Sequence, residues 1–144
     1  MKFYKSKAST LDWLEKFYAA CGYGGSFNDS DDVYFAEQDS TVLGVVRIAK
    51  EQGVFVLRGM QVLPEFRGHH LGRKLLSYLT SQISALDSPC FCLPHDHLVS
   101  FYSEAGFTPV MPSHISVPDF LHQRQLKYME KNLNISVLVR IPAS

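Results

Sequence analysis

The sequence predicts a mixed α/β fold of the α+β kind: a mostly antiparallel sheet with a central parallel pair, flanked by helices. Three observations carry that expectation. Residues 33–63 read as three β-runs separated by the short turns Asp39-Ser40 and Gln52-Gly53, and runs joined so tightly pair antiparallel. A helical stripe follows, with Leu71, Leu75, Leu76, Leu79 and Ile83 recurring on one face. The apolar run Pro89-Cys90-Phe91-Cys92-Leu93 comes next. A strand, a helix and a further apolar strand in succession imply a right-handed crossover and a local parallel pair.

The remaining elements fall in chain order. Phe3 to Ser6 reads as a short first strand. Ser9 or Thr10 is placed to cap a helix running to about Ala20, whose apolar face is Leu11, Leu14, Phe17 and Tyr18. Cys21-Gly22-Tyr23-Gly24-Gly25 stops that helix, and the polar run from Asn28 to Asp32 is a loop. The meander strands are Val33 to Glu37, Val42 to Ala49 and Val54 to Leu63, the last ended by Pro64. The stripe helix runs from about Leu71 to Ala85. Asp96 is placed to cap a short helix from His97 to Glu104, which Gly106 terminates. Phe107 to Val110 reads as a strand, Pro118 to Lys131 as a helix and Ile135 to Ile141 as the last strand. No internal repeat, low-complexity tract or linker breaks the order.

A chain of 144 residues suits one domain, 1–144, with a core large enough to fold without disulfides or metal. Its 46% hydrophobic and 19% charged residues are those of a globular protein, not a disordered or coiled-coil one. The 14 basic and 14 acidic residues cancel to a formal net charge of +0. Nonspecific binding to nucleic acid or to an anionic membrane needs an excess of Lys and Arg, so neither partner is expected. Asp12, Glu15 and Lys16 interrupt the stretch where a signal peptide would need its apolar region, and no window is long enough for a membrane span. Cys21, Cys90 and Cys92 read as small buried thiols of a reducing cytoplasm, with a redox or metal role as the alternative.

The segment Met60-Gln61-Val62-Leu63-Pro64-Glu65-Phe66-Arg67-Gly68-His69-His70-Leu71-Gly72-Arg73 carries the chemistry. A strand ends, a glycine-bearing loop follows and an amphipathic helix starts. The first N–H groups of a helix lack intrahelical partners and carry partial positive charge, so they suit a phosphate or pyrophosphate. Arg67 and Arg73 add local charge. The nucleoside-triphosphate loop is excluded because no G-K-S/T follows, and the dinucleotide fingerprint because G-x-G-x-x-G is absent. An ordinary strand-to-helix turn is the alternative.

Val62-x-Pro64-x-x-Arg67-Gly68-x-x-Leu71-Gly72-x-x-Leu75-Leu76 resembles the acetyl-CoA pyrophosphate loop of the GNAT superfamily of N-acetyltransferases, of the form Q/R-x-x-G-x-G/A. Arg67 fills its first place and Gly72 its last; His70 stands where the family has glycine. Downstream, Phe101-Tyr102-Ser103-Glu104-Ala105-Gly106-Phe107 is similar to the family's F/L-Y-x-x-x-G-F block. The resemblance implies the GNAT acyl-CoA N-acyltransferase fold, in which the central parallel pair is splayed.

That resemblance also implies a mechanism: an acetyl group moves from acetyl-CoA to an amine by direct attack, with no acyl-enzyme, so neither Cys90 nor Cys92 has to act as nucleophile. The cofactor is expected in the notch where the third meander strand splays from the Pro89–Leu93 strand. Met60, Gln61 and Val62 would pair with the pantetheine arm like an added strand, the Val62 N–H donating to the thioester oxygen as negative charge develops there. The amides of Gly68, His69, His70, Leu71, Gly72 and Arg73 would hold the pyrophosphate. Tyr102 matches the family's general acid, protonating or hydrogen-bonding the departing thiolate; a packed core tyrosine is the alternative. His95, seven residues before Tyr102, stands where many relatives carry an Asn touching the cofactor arm.

The general base is not identified. The positions at which relatives carry a Glu match Val56 and Cys90, neither acidic, which points to deprotonation through ordered water with His97 or His69 as candidate helpers. For His70 two readings stand: its N–H still serves the pyrophosphate while the ring turns to solvent, or the loop is displaced and cofactor binding weakened. No metal site is expected from His69, His70, His95 and His97, which lack zinc-site spacing.

Arg58 shares strand parity with Val56, Met60 and Val62. A guanidinium there either binds an acceptor carboxylate or forms a salt bridge with a nearby acid. Residues 117–128 fall where the family often covers the acceptor site or makes a homodimer contact, with Phe120, Leu121, Arg124 and Tyr128 as candidates; simple packing of Leu121, Leu126 and Met129 is the alternative. Three functions remain: an N-acetyltransferase for a small amine or amino acid, the same chemistry on a protein or peptide amine, and a coenzyme A-binding module with little catalysis.

Overall fold

The computed structural model describes residues 1–84, 88–110 and 117–141. The chain divides into two compact units, Met1–Ala85 and Leu86–Ser144.

The first unit carries strands β1 (Lys2–Lys7), β2 (Asp32–Gln38), β3 (Thr41–Glu51) and β4 (Val54–Val62), and helices α1 (Leu14–Ala20) and α2 (Leu71–Ile83). The strands pair antiparallel in the order β1-β2-β3-β4. Both expected turns are present as two-residue hairpins with left-handed backbone: Asp39 and Ser40 at φ 50° and 64°, Gln52 and Gly53 at 48° and 85°. Such turns match the twist of the strands they join. On one face Phe35 stacks on Tyr4 and meets Trp13 edge-on; on the other Tyr34 meets Tyr78 of α2. The buried residues of α2 are Leu71, Leu75, Leu76, Leu79 and Ile83, the stripe read from the sequence; its expected end at Ala85 lies outside the described residues.

The first helix begins later than its expected cap. Ala8–Thr10 forms a 3-10 turn, and the Thr10 hydroxyl donates back to the Lys7 carbonyl at 2.7 Å. That hydroxyl closes a turn behind it, so α1 starts at Leu14, preceded by Trp13 and with no side-chain cap. Leu14, Phe17 and Tyr18 are its buried residues.

The second unit carries β5 (Cys90–Cys92), β6 (Thr108–Pro109) and β7 (Leu138–Arg140), and helices α3 (Val99–Ser103) and α4 (Asp119–Glu130). β7 pairs antiparallel with both β5 and β6. Asp96 does not cap the short helix: its carboxylate accepts the Ser136 hydroxyl at 2.6 Å, and a 3-10 turn over Asp96–Leu98 precedes α3. Gly106, at φ 91°, ends that helix; its N–H bonds the Ser103 carbonyl and the Phe107 N–H bonds that of Tyr102. Leu121 is fully buried, whereas Leu126 and Met129 are 57% and 55% exposed, so the expected packing of α4 holds for the first alone.

One ion pair is sunk in the first unit. Arg47 and Asp31 are 1% and 2% exposed and form an ion pair at 2.6 Å. Arg47 Nε donates to the Tyr18 hydroxyl at 2.9 Å, and Nη2 to the Tyr23 hydroxyl and the Ser26 carbonyl, each at 3.2 Å. Tyr18 donates in turn to the Gly59 carbonyl at 2.9 Å. Burial pushes the Tyr18 phenol from 10.0 up to about 12, opposed by the adjacent guanidinium. The neutral phenol is thus favoured in the native state. Its contribution is complete below pH 10 and is lost as pH rises from there through about 12. An alkaline titration of unfolding free energy should fall by roughly 2–3 kcal/mol over that window, and Tyr18→Phe should flatten the fall.

Candidate active site

The site starts at a break in β4. Arg58 lies opposite Arg47, and Leu57 opposite Ile48, yet Gln61 lies opposite Val45 and Val62 opposite Gly44. One extra residue has entered β4, at Gly59, whose φ is 64°. A Cβ there would meet Tyr18 Oη at 2.5 Å and Arg47 Nε at 2.9 Å, so glycine is required both for backbone and for space.

The bulge corrects the expected strand parity. Val56 and Arg58 keep a common face, but Met60 and Val62 are turned to the other, where the Val62 side chain lies near Leu75 around Gly44. Arg58 therefore does not share a face with Met60 and Val62. Its guanidinium lies 3.6 Å from Glu51, with 30% of the side chain exposed.

The bulge also sets the direction of the backbone donors. The Leu63 N–H bonds the Leu43 carbonyl at 2.9 Å. N–H groups alternate along a strand, so those of Met60 and Val62 point away from β3 while that of Gln61 points toward it.

Past β4, a 3-10 turn over Pro64–Phe66 leads to Arg67, whose Nε donates to the Val62 carbonyl at 3.0 Å. Gly68 follows at φ 84° with open space around it. His70 takes the position before α2 in the left-handed conformation, φ 60° and ψ 14°. Its carbonyl accepts the Lys74 N–H, the first bond of the helix. Among the described residues, the backbone N–H groups from Gly68 to Gly72 have no carbonyl partner. Gly68, His69 and His70 are exposed, as is Arg73 on the first turn of α2; Leu71 is buried and Gly72 half-buried. This is a run of donors at a helix start, suited to an anion.

The conformation of His70 explains what the departure from glycine costs. A left-handed non-glycine residue costs roughly 1–2 kcal/mol, while glycine costs about 0.5–1 kcal/mol in unfolded-state freedom. His70→Gly is thus expected to raise stability by up to about 1 kcal/mol in thermal or denaturant unfolding. A lower melting temperature would show that the imidazole itself holds the loop.

In the second unit Tyr102 is 6% exposed, its ring set edge-on against Phe101 and Phe107. Burial, and then the neighbouring Cys92, push its phenol well above the ordinary tyrosine range. Among the described residues no fully buried side-chain nitrogen or oxygen lacks a partner. Cys90 and Cys92 are each 2% exposed, and burial holds the Cys92 thiol well above its usual range, which keeps it protonated. His95 is exposed, bridges to Ile135 and stacks on His97, ring centroids 5.7 Å apart. Among the described residues no group of three or more His, Cys, Asp or Glu could hold a metal ion, and no helix is long and apolar enough to cross a membrane.

The sequence reading missed Asp31 and Arg47, and placed Tyr18 only as packing. The available signal was Arg47 itself, a charge within the apolar run from Leu43 to Ala49, which burial obliges to be paired.

In the first unit, a strand with outward-facing amides runs into a loop of unpaired donors at a helix start, an arrangement suited to a phosphate-bearing cofactor. The chain belongs to the GNAT acetyltransferase family: the Acetyltransferase (GNAT) domain matches residues 29–109. Members of that family are N-acetyltransferases that draw the acetyl group from acetyl-CoA. No curated protein matches the sequence. Solved structures agree in fold. Escherichia coli ElaA is 18% identical, with a TM-score of 0.68 over 97% of this chain and 99% of that one. N-acetylglutamate synthase from Neisseria gonorrhoeae, complexed with coenzyme A and N-acetyl-glutamate, is 14% identical with a TM-score of 0.70, covering 100% of this chain and 36% of that one. The Escherichia coli alanine N-acetyltransferase of a ribosomal protein is 12% identical, with a TM-score of 0.64 over 99% and 96%. These likenesses bear out the mixed α/β fold expected from the sequence.

Proposed function

We propose that residues 1–144 act as one catalytic domain in the cytoplasm, transferring an acetyl group by direct attack to the primary amine of a small molecule or amino acid. Acetyl-CoA supplies an activated thioester. The Val62 N–H donates to its oxygen, Met60 and Gln61 flank the pantetheine arm, and the amides from Gly68 to Arg73, helped by Arg67, hold the pyrophosphate. Tyr102 donates to the departing sulfur, and His95 lies along the arm. The observation that supports this reading most is the run of unpartnered loop amides following a strand whose Val62 N–H points away from β3.

For the acceptor, Arg58 carries the argument. Its 3.6 Å approach to Glu51 and partial exposure leave the guanidinium able to receive a carboxylate. Among the structural neighbours one binds N-acetyl-glutamate and another acetylates a ribosomal protein, so a peptide amine is the second reading. Thiol release from acetyl-CoA over a panel of amino acids, amines and peptides tests both. Arg58→Ala should lower kcat/KM for carboxylate-bearing acceptors by about 10-fold, the worth of one charge-assisted pair, and leave simple amines unchanged. Uniform rates across the panel in both proteins would remove Arg58 from recognition. Tight cofactor binding with no acceptor consumed would favour a coenzyme A-binding module.

A further inference from the structure

Tyr18, Arg47 and Asp31 touch none of the residues assigned to the cofactor except through the backbone of β4. A buried ion pair is a costly way to gain stability, because apolar residues of the same volume often do as well. Its placement beside Gly59 suggests another use.

The register states what the bulge does. Before it, residues 57 and 58 face 48 and 47; after it, residues 61 and 62 face 45 and 44. Without the extra residue, Val62 would lie opposite Leu43, whose carbonyl now accepts from Leu63. The Val62 N–H would then point into the β3–β4 ladder and would be lost as a donor to anything else. A bulge in turn frees backbone groups that need partners. The Gly59 carbonyl is one, and it accepts the Tyr18 hydroxyl at 2.9 Å. That hydroxyl is oriented by Arg47 Nε at 2.9 Å, and Arg47 is fixed by Asp31 at 2.6 Å. Asp31 is itself held from its own loop, by the Asn28 N–H at 3.1 Å.

We propose that Tyr18 is a positioning residue: with Arg47 and Asp31 it pins the Gly59 bulge and thereby keeps the Val62 amide facing the thioester rather than β3. The proposal rests on the acetyltransferase reading above. It makes the loop from Asn28 to Asp31 and the end of α1 part of the catalytic apparatus, although neither contacts a reacting atom.

Tyr18→Phe removes the oxygen that bonds the Gly59 carbonyl. The control is Ile83→Ala, on α2 at the other face of the sheet, or Ile83→Val where its melting temperature matches more closely. Two readouts separate the proposal from the reading it rests on. In the cofactor-free protein, amide hydrogen exchange at Gln61 and Leu63, the residues past the bulge that bond β3, should accelerate at least tenfold more in Tyr18→Phe than in the control. With acetyl-CoA and an accepted amine, kcat should fall about tenfold or more while the KM for acetyl-CoA changes less than threefold, since a misplaced donor costs the transition state and spares the pyrophosphate contacts. The control should keep kcat. Equal exchange in the two variants, or a kcat no lower than the control's, would overturn the positioning role. If the wild-type protein turns over no amine, the acetyltransferase reading fails, and the exchange result still decides whether Tyr18 holds the bulge.

Discussion

Tyr102→Phe is expected to lower kcat by about 10²–10⁴-fold, the usual worth of a positioned proton donor, while coenzyme A affinity stays the same. The hydroxyl is the only atom removed, and the ring contacts with Phe101 and Phe107 survive. The raised pKa of the phenol makes the expectation sharper. Burial and Cys92 keep it protonated well past the ordinary tyrosine range, so it is always able to donate. It is also a weak acid, so in the proposed role its contribution would be a hydrogen bond to the developing thiolate more than complete proton release. The activity should therefore show no alkaline limb near pH 10 from this group. Steady-state rates from pH 7 to 10, with calorimetric titration of coenzyme A, check both parts. Undiminished turnover in the variant would return Tyr102 to the role of a packed core residue.

Asp31→Ala is expected to destabilise the protein by about 3–5 kcal/mol, because Arg47 would remain charged and buried without its counterion. At 1% exposure the guanidinium cannot reach water without opening the strands around it. The companion change Arg47→Met should recover most of that loss in the double variant, since the penalty lies in the orphaned charge and not in a missing attraction. Chemical denaturation of the two single variants and the double variant gives the coupling directly. A loss under about 1 kcal/mol in Asp31→Ala alone would mean that the pair is hydrated in solution.

The sequence was most informative where structure is dictated locally. The leucines of α2 have one periodicity and one consequence, and the two hairpin turns carry residues that accept a left-handed backbone. The turn from Arg67 to Gly72 into α2 was legible because its glycines and the start of the leucine stripe lie within one short segment. What was hidden depends on distant partners. Thr10 was read as a cap, but its hydroxyl had a nearer acceptor in Lys7. The Gly59 bulge is stabilised by a hydroxyl 41 residues away, and Arg47 by a carboxylate 16 residues away. A single glycine in a strand cannot announce a bulge without those partners, so Arg58 was put on the wrong face relative to Met60 and Val62.

The two hairpin turns of the first unit also bear on how the chain reaches this structure. β2, β3 and β4 each meet the next across two residues, so their pairing costs little loop entropy and can form from local encounters. β5 and β7 pair across a separation of roughly 45 residues of chain, a closure that costs more loop entropy and is slower. During refolding, pulse-labelled amides of β3 should therefore gain protection well before those of β7. β4 would then be in register with β3 before β5 and β7 have paired.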